Sequence, residues 1–162
     1  MDDRKIEATL AALKEQEETL IFDKFDEGDA WIIGTRIREK ILSYGGAAAI
    51  DITCGKMCLF SCCVSKLTPH NLTWIPRKRN TVLEFWQSSY RVSLNLQKMG
   101  KTLEERGLPS IDYAVSGGGF PIYLRSFGVV GAITVSGMDQ TMDHQFIADV
   151  VAEYLDKRIS SI

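Results

Sequence analysis

The stretch YAVSGGGFPIYLRSFGVVGAITVSG, running from Tyr113 to Gly137, decides the reading of this chain. It contains two apolar runs, Phe120–Leu124 and Val129–Val135, joined by Arg125-Ser126-Phe127-Gly128 and preceded by the glycines Gly117, Gly118 and Gly119. Two such runs around a short polar link predict a β-hairpin, entered through a glycine loop. The second run is rich in β-branched residues and carries Gly131 and Ala132 inside it, which predicts a central strand that a neighbour approaches closely. Pro121 cannot donate to a strand ladder, so it belongs at the start or edge of the first strand.

Downstream, Phe146, Ile147, Val150, Val151 and Leu155 fall at helical spacing, predicting a final helix over 139–157 that packs on the sheet. Upstream, 47–53 and 57–64 are strand-like runs flanking Cys54-Gly55-Lys56, a second hairpin. Asp51 reads there as a strand residue on a solvated face. Residues 4–18 form an amphipathic helix carrying Ile6, Leu10 and Leu13, able to pack on the domain or on another subunit. Residues 19–22 add a short β-like run. A helix over 29–43 follows, with Trp31, Ile32, Ile37 and Ile41 inward and a stop at Gly45-Gly46. Thr68-Pro69 opens a helical region that Pro76 interrupts, and a helix resumes there through Val82, Leu83 and Trp86. Ser88-Ser89 caps the next helix, and Thr102 with Glu105 matches a capping box. The order predicts one α+β domain spanning residues 1–162: a profilin-like sandwich with a five-stranded antiparallel sheet and helices packed on it.

The chain carries 19 Lys and Arg against 21 Asp and Glu, a formal charge of −2, so no chain-wide attraction to nucleic acid or anionic lipid is expected. The charged N-terminus lacks the apolar core of an export signal, and no apolar run approaches a membrane span; a cytoplasmic location is the expectation. The four cysteines, Cys54, Cys58, Cys62 and Cys63, are then free thiols. Their spacing lacks Cys-x-x-Cys pairs, so the expectation is small buried hydrophobes and no metal site.

The pieces FDKFDEGDAW, AIDI, TWIPRKRNTV, SSY, GKTLEERGLP, GGGFPI and GVVGAITVSG, followed by Asp143-His144, resemble a family of small proteins labelled heme-degrading-domain proteins, similar to the GlcG and heme-binding HbpS group. The resemblance runs from about Leu20 to Leu155. It implies a profilin-like sandwich, assembly into homo-oligomers, and a link to heme or another small ligand in some relatives. It implies no established catalytic mechanism. The family's motif reads HGGxFPI, whereas Ser116 stands here in place of the histidine, so a role needing imidazole at that point is in question.

The candidate ligand-binding residues are Trp74, Arg77, Lys78, Ser116, Gly117, Gly118, Gly119, Phe120, Asp143 and His144. A glycine loop can present backbone amides to an anion, or it can simply bulge into an edge strand. Its context is neither a P-loop nor a dinucleotide fingerprint. His144, near a helix N-terminus, would be held neutral, the form that ligates heme iron; the alternative is an exposed histidine beside an Asp143 cap. Trp74 with Arg77, Lys78 and Arg79 could receive propionates, a phosphate or a carboxylate, or could be a solvated helix face. His70 is a lesser candidate, as is a cysteine thiolate toward heme. A Ser-His-Asp set from Ser116 or Ser136, His144 and Asp143 or Asp139 lacks a nucleophile elbow. Catalytic residues are unassigned. The reading is an oligomeric protein binding heme or a small anionic metabolite, with a protein-interaction scaffold and a heme-degrading enzyme as alternatives.

Overall fold

The hairpin forms in the computed structural model, which describes residues 2–162, as β3 (Gly119–Leu124) and β4 (Gly128–Ser136). The second hairpin is β1 (Ala48–Cys54) and β2 (Met57–Val64). They combine into one antiparallel sheet in the order β2-β1-β4-β3. The central position of β4 explains its small residues. A Cβ on Gly131 would lie 2.2 Å from the Thr53 carbonyl oxygen of β1.

The sheet has four strands, not the five expected. The run 19–22 does not become a strand, because the first helix, α1 (Asp3–Thr19), consumes its start. Only Phe22 joins the sheet, as a single parallel bridge to Leu124: its N–H donates to the Tyr123 carbonyl at 2.9 Å and its carbonyl accepts from Arg125 N–H at 2.9 Å. The chain then turns away, because Asp26 begins the next helix. That bridge covers the β3 edge at its Leu124 end.

α2 (Glu27–Tyr44) starts with a capping box: the Asp26 side chain accepts from Gly28 and Asp29 N–H, and Asp29 accepts from Asp26 N–H. Its inward stripe is Ala30, Ile33, Ile37 and Ile41. Trp31 and Ile32, expected inward, are 64% and 40% exposed, since helical geometry carries them off that stripe. α2 and the final helix, α6 (Gln140–Leu155), cover one face of the sheet. There Ile33, Ile37 and Ile41 meet Ile50, Ile52, Ile133, Val135, Ile147 and Val151 in the main core.

On the other face lies α4 (Trp74–Phe85), preceded by the short α3 (Pro69–Leu72). Pro76 does not break this helix. It occupies the first turn of α4, where its missing N–H costs nothing, and the break falls at Thr73. α5 (Ser89–Met99) packs outside α4, with the Ser88 hydroxyl accepting from Arg91 N–H, and α1 packs on α5 through Ile6, Leu13, Tyr90 and Leu94. The Thr102–Glu105 box forms as expected, with reciprocal bonds of 2.8 and 3.3 Å, and leads into a single 3-10 turn.

The four cysteines are free and none is fully buried as expected: Cys58 and Cys63 are exposed, and Cys54 and Cys62 are half-buried. Asp51 is not on a solvated face either. It is buried under α4, accepting from Arg79 Nη1 at 2.9 Å and from the Thr53 hydroxyl at 2.8 Å. Among the described residues no helix is long and apolar enough to cross a membrane.

Candidate functional site

Three consecutive cations on α4 go to three different places, because successive residues of a helix are about 100° apart. Arg79 reaches Asp51 on β1. Lys78 points into the sheet, with its side chain only 2% exposed, and its Nζ donates to Asp143 Oδ2 at 3.1 Å and to the Val135 carbonyl at 3.0 Å. Arg77 turns to the opposite flank and lies over the Trp74 ring, 4.5 Å from its centroid.

Asp143 comes from the first turn of α6, but it does not cap that helix; Asp139 does, accepting from Thr141 N–H at 2.9 Å. The Asp143 carboxylate instead accepts from Gly137 N–H at 3.3 Å and Met138 N–H at 3.1 Å, besides Lys78. Burial pushes the Lys78 ammonium below its ordinary value, against the pull of Asp143. Burial likewise pushes the Asp143 carboxyl up, against Lys78 and the two amides. Each depends on the other, since removing one partner would leave an uncompensated buried charge.

The glycine loop is what lets this pair form. Gly118 has φ +110°, and a Cβ there would lie 2.2 Å from the Val135 carbonyl oxygen and 2.9 Å from Lys78 Nζ. A Cβ on Gly117 would sit 2.0 Å from the Gln140 carbonyl oxygen, and one on Gly119 2.9 Å from the Ser89 hydroxyl, which donates to the Ser116 carbonyl. The three glycines thus permit close packing of the loop on α4, α5, β4 and α6.

In front of the pair is a cleft of about 240 Å³, lined by Trp74, Lys78, Ser116, Ser136, Asp143 and neighbouring backbone. Four of the residues picked out from the sequence, Trp74, Lys78, Ser116 and Asp143, therefore share one cavity wall. Asn71 and Ser136 complete it, and no local motif marks Asn71 for that place. Gly117, Gly118 and Gly119 stand behind the wall as packing. Phe120 is fully buried in the core.

His144 does not reach the cleft. It is 0% exposed, with its ring centroid 5.6 Å from that of Phe120 and 5.9 Å from that of Tyr90. Its Nε2 pairs with Gln16 Oε1 of α1 at 2.8 Å, and Nδ1 has no partner in the protein. Burial pushes its pKa down to about 3. It is therefore a neutral core side chain, and the exposed alternative does not describe it either. Burial also raises the thiols of Cys54, Cys58 and Cys62, away from reactive thiolate. Among the described residues no three of His, Cys, Asp and Glu are grouped to hold a metal ion.

Fold and cleft together define a small α+β protein with a polar pocket built over a buried lysine–carboxylate pair. Residues 25–152 match the model of the family described as "Haem degrading protein HbpS-like", and the chain belongs to that family. It is 41% identical over 157 residues to a UPF0303 protein of Rhizobium rhizogenes, covering 97% of both chains. Among solved structures it is similar to the Ybr137w protein, at 28% identity and TM-score 0.83 over 96% of each chain. It also shares its fold with Streptomyces reticuli HbpS at TM-score 0.65 and 17% identity, over 81% of this chain and 86% of that one. A PduOC–heme complex shares the fold at TM-score 0.68 and 14% identity, over 85% of this chain and 97% of that one.

Proposed function

We propose that this protein is an oligomeric small-ligand-binding module whose cleft at Trp74, Lys78, Ser116 and Asp143 takes a small anion. The observation that carries this is the buried Lys78 at the cleft wall. An ammonium has three donors, and two are used inside the protein, on Asp143 and Val135. One donor is left, and Ser116 and Ser136 line the same cleft. A buried charged pair with both groups shifted, placed in a cleft, is the arrangement expected of a functional site. The assembly part of the reading is supported by β2, an open edge strand of eight residues without a charge or proline to discourage pairing with a second copy.

A second reading, heme, is favoured by the family's description. The residues present do not enclose it. A cleft of about 240 Å³ lies below the roughly 300–1,000 Å³ usual for drug-sized ligands, and His144 is sealed in the core. Heme would engage this cleft only through a propionate, and no iron ligand or heme-cleaving step is assigned to this chain.

The test titrates malonate by calorimetry and heme by Soret absorbance into the full-length protein and into Ser116→Leu, with light scattering on the same samples for subunit count. Saturable malonate binding that weakens about tenfold or more when the leucine fills the cleft is the expected result. Heme binding with a shifted Soret band and no malonate binding would move the assignment to the heme reading; a bilin product would make it an enzyme. Saturation by neither would retire the ligand module in favour of a scaffold.

A further inference from the structure

The structure contains a second cleft, on the far side of Trp74, and we propose that it binds a carboxylate carrying an apolar body. The groove, about 510 Å³, runs between α5 and the segment from Lys101 to Val115. Its apolar lining comes from Leu96, Leu103, Ala114 and Val115, and its cations are Arg77 and Lys101. Glu104 is the one carboxylate on its wall.

Arg77 is the reason to assign a ligand. Of the three adjacent cations on α4, Lys78 and Arg79 each have a carboxylate partner, whereas Arg77 has none among the described residues. Its Nε is buried without a hydrogen-bond partner in the protein, and the Trp74 ring holds the guanidinium by stacking. A guanidinium stacked on Trp74 in the wall of a groove suits a carboxylate, which can take two parallel bonds from such a group. Lys101 adds a second positive charge, also without an ion pair among the described residues. The leucine-lined remainder suits an apolar body and would leave a free inorganic anion without contacts.

The groove is also built before any ligand arrives. Its outer wall is tied to α4 by Ala114 N–H donating to the Arg77 carbonyl at 3.2 Å, by the Thr81 hydroxyl donating to the Ala114 carbonyl at 2.9 Å, and by Asn80 Nδ2 donating to the Asp112 carbonyl at 2.8 Å. A wall held this way adds little ordering cost to binding.

The probe is octanoate, titrated by calorimetry into the full-length protein, Arg77→Gln and Lys101→Gln, with far-UV circular dichroism as a check on folding. One site per chain is expected, weakened about tenfold or more by Arg77→Gln and less by Lys101→Gln, which is exposed and should not affect folding. 1-Octanol should bind much more weakly, and inorganic phosphate should not compete. Ser116→Leu should leave octanoate affinity unchanged, so a failure here is separable from a failure of the malonate cleft. Lack of saturation in the parent, equal affinity in the parent and both variants, or octanol binding as tightly as octanoate would overturn the assignment. Effective competition by phosphate would overturn the apolar-body part of it.

Discussion

His144 shows what burial does to a single titratable group. In the folded protein its pKa is pushed from 6.5 to about 3, so the unfolded chain takes up the proton first as pH falls. A depressed folded pKa gives stability that is present above about pH 6.5 and is lost between there and about pH 3, at up to about 1.4 kcal/mol per pH unit. His144→Gln, which can keep a bond to Gln16, should therefore flatten the acid limb of the stability–pH curve measured by urea unfolding. Identical limbs in parent and variant would show that the imidazole is protonated without leaving the fold. Residue chemistry was legible in the sequence only in part. Ser116, Trp74, Lys78 and Asp143 are visible as candidates, but Arg77, Lys78 and Arg79 look like one patch. Their consecutive numbers already forbid a shared helix face. That Lys78 is the one turned inward depends on Asp143, 65 positions away, and nothing local announces such a partner.

Helix α2 meets the sheet at Gly34, and that contact governs how closely the element can pack. A Cβ there would lie 2.5 Å from the Phe60 ring of β2, so the glycine is kept despite a helix-propensity cost of about 1 kcal/mol. Gly34→Ala should destabilise the protein by about 1–3 kcal/mol net, because the added methyl must displace the Phe60 ring, which also packs 5.9 Å from the Trp31 ring of the same helix. Phe60→Leu, which removes the ring, should lose less on adding Gly34→Ala, a coupling readable in a double-mutant cycle of urea midpoints. Additive effects would mean the ring is not what the added methyl meets. Elements were more legible than contacts. Both hairpins follow from apolar runs around Gly55 and Gly128, and Ser88, Thr68-Pro69 and Thr102–Glu105 mark helix starts through local chemistry. Register and strand count were not legible, since Phe22 and a true strand residue look alike until the sheet edge is placed. Trp31 and Ile32 are apolar in type but lie off the inward helical stripe of Ala30, Ile33, Ile37 and Ile41, so period and not residue type sets their exposure.

At the scale of the whole molecule, α1 is a strap over the α5–α6 side and not an appendage. Its apolar stripe packs on Tyr90 and Leu94 of the same chain. Glu17 accepts from Arg91 Nη1 at 2.5 Å and from Ser88 N–H at 2.9 Å, at the cap of α5. Gln16 is bonded to His144 on one side and donates to the Ser160 carbonyl at 2.7 Å on the other, so the first helix and the C-terminal tail close over α6 together. Burial pushes the Glu17 carboxyl up, against the pull of the Ser88 amide and Arg91. Deleting residues 2–19 would expose apolar surface under Ile6 and Leu13, worth about 2 kcal/mol each, and strip Arg91 and His144 of their partners. The truncated chain should melt on the order of 10 °C below the parent, since a chain of this length shifts about 2–4 °C per kcal/mol. In the parent, far-UV dichroism and tryptophan fluorescence should report one coincident transition, because α1 contributes to the same cooperative unit. An unchanged melting temperature after deletion, or an early loss of helix ahead of the fluorescence transition, would make α1 a separate module docked on an independently stable sheet.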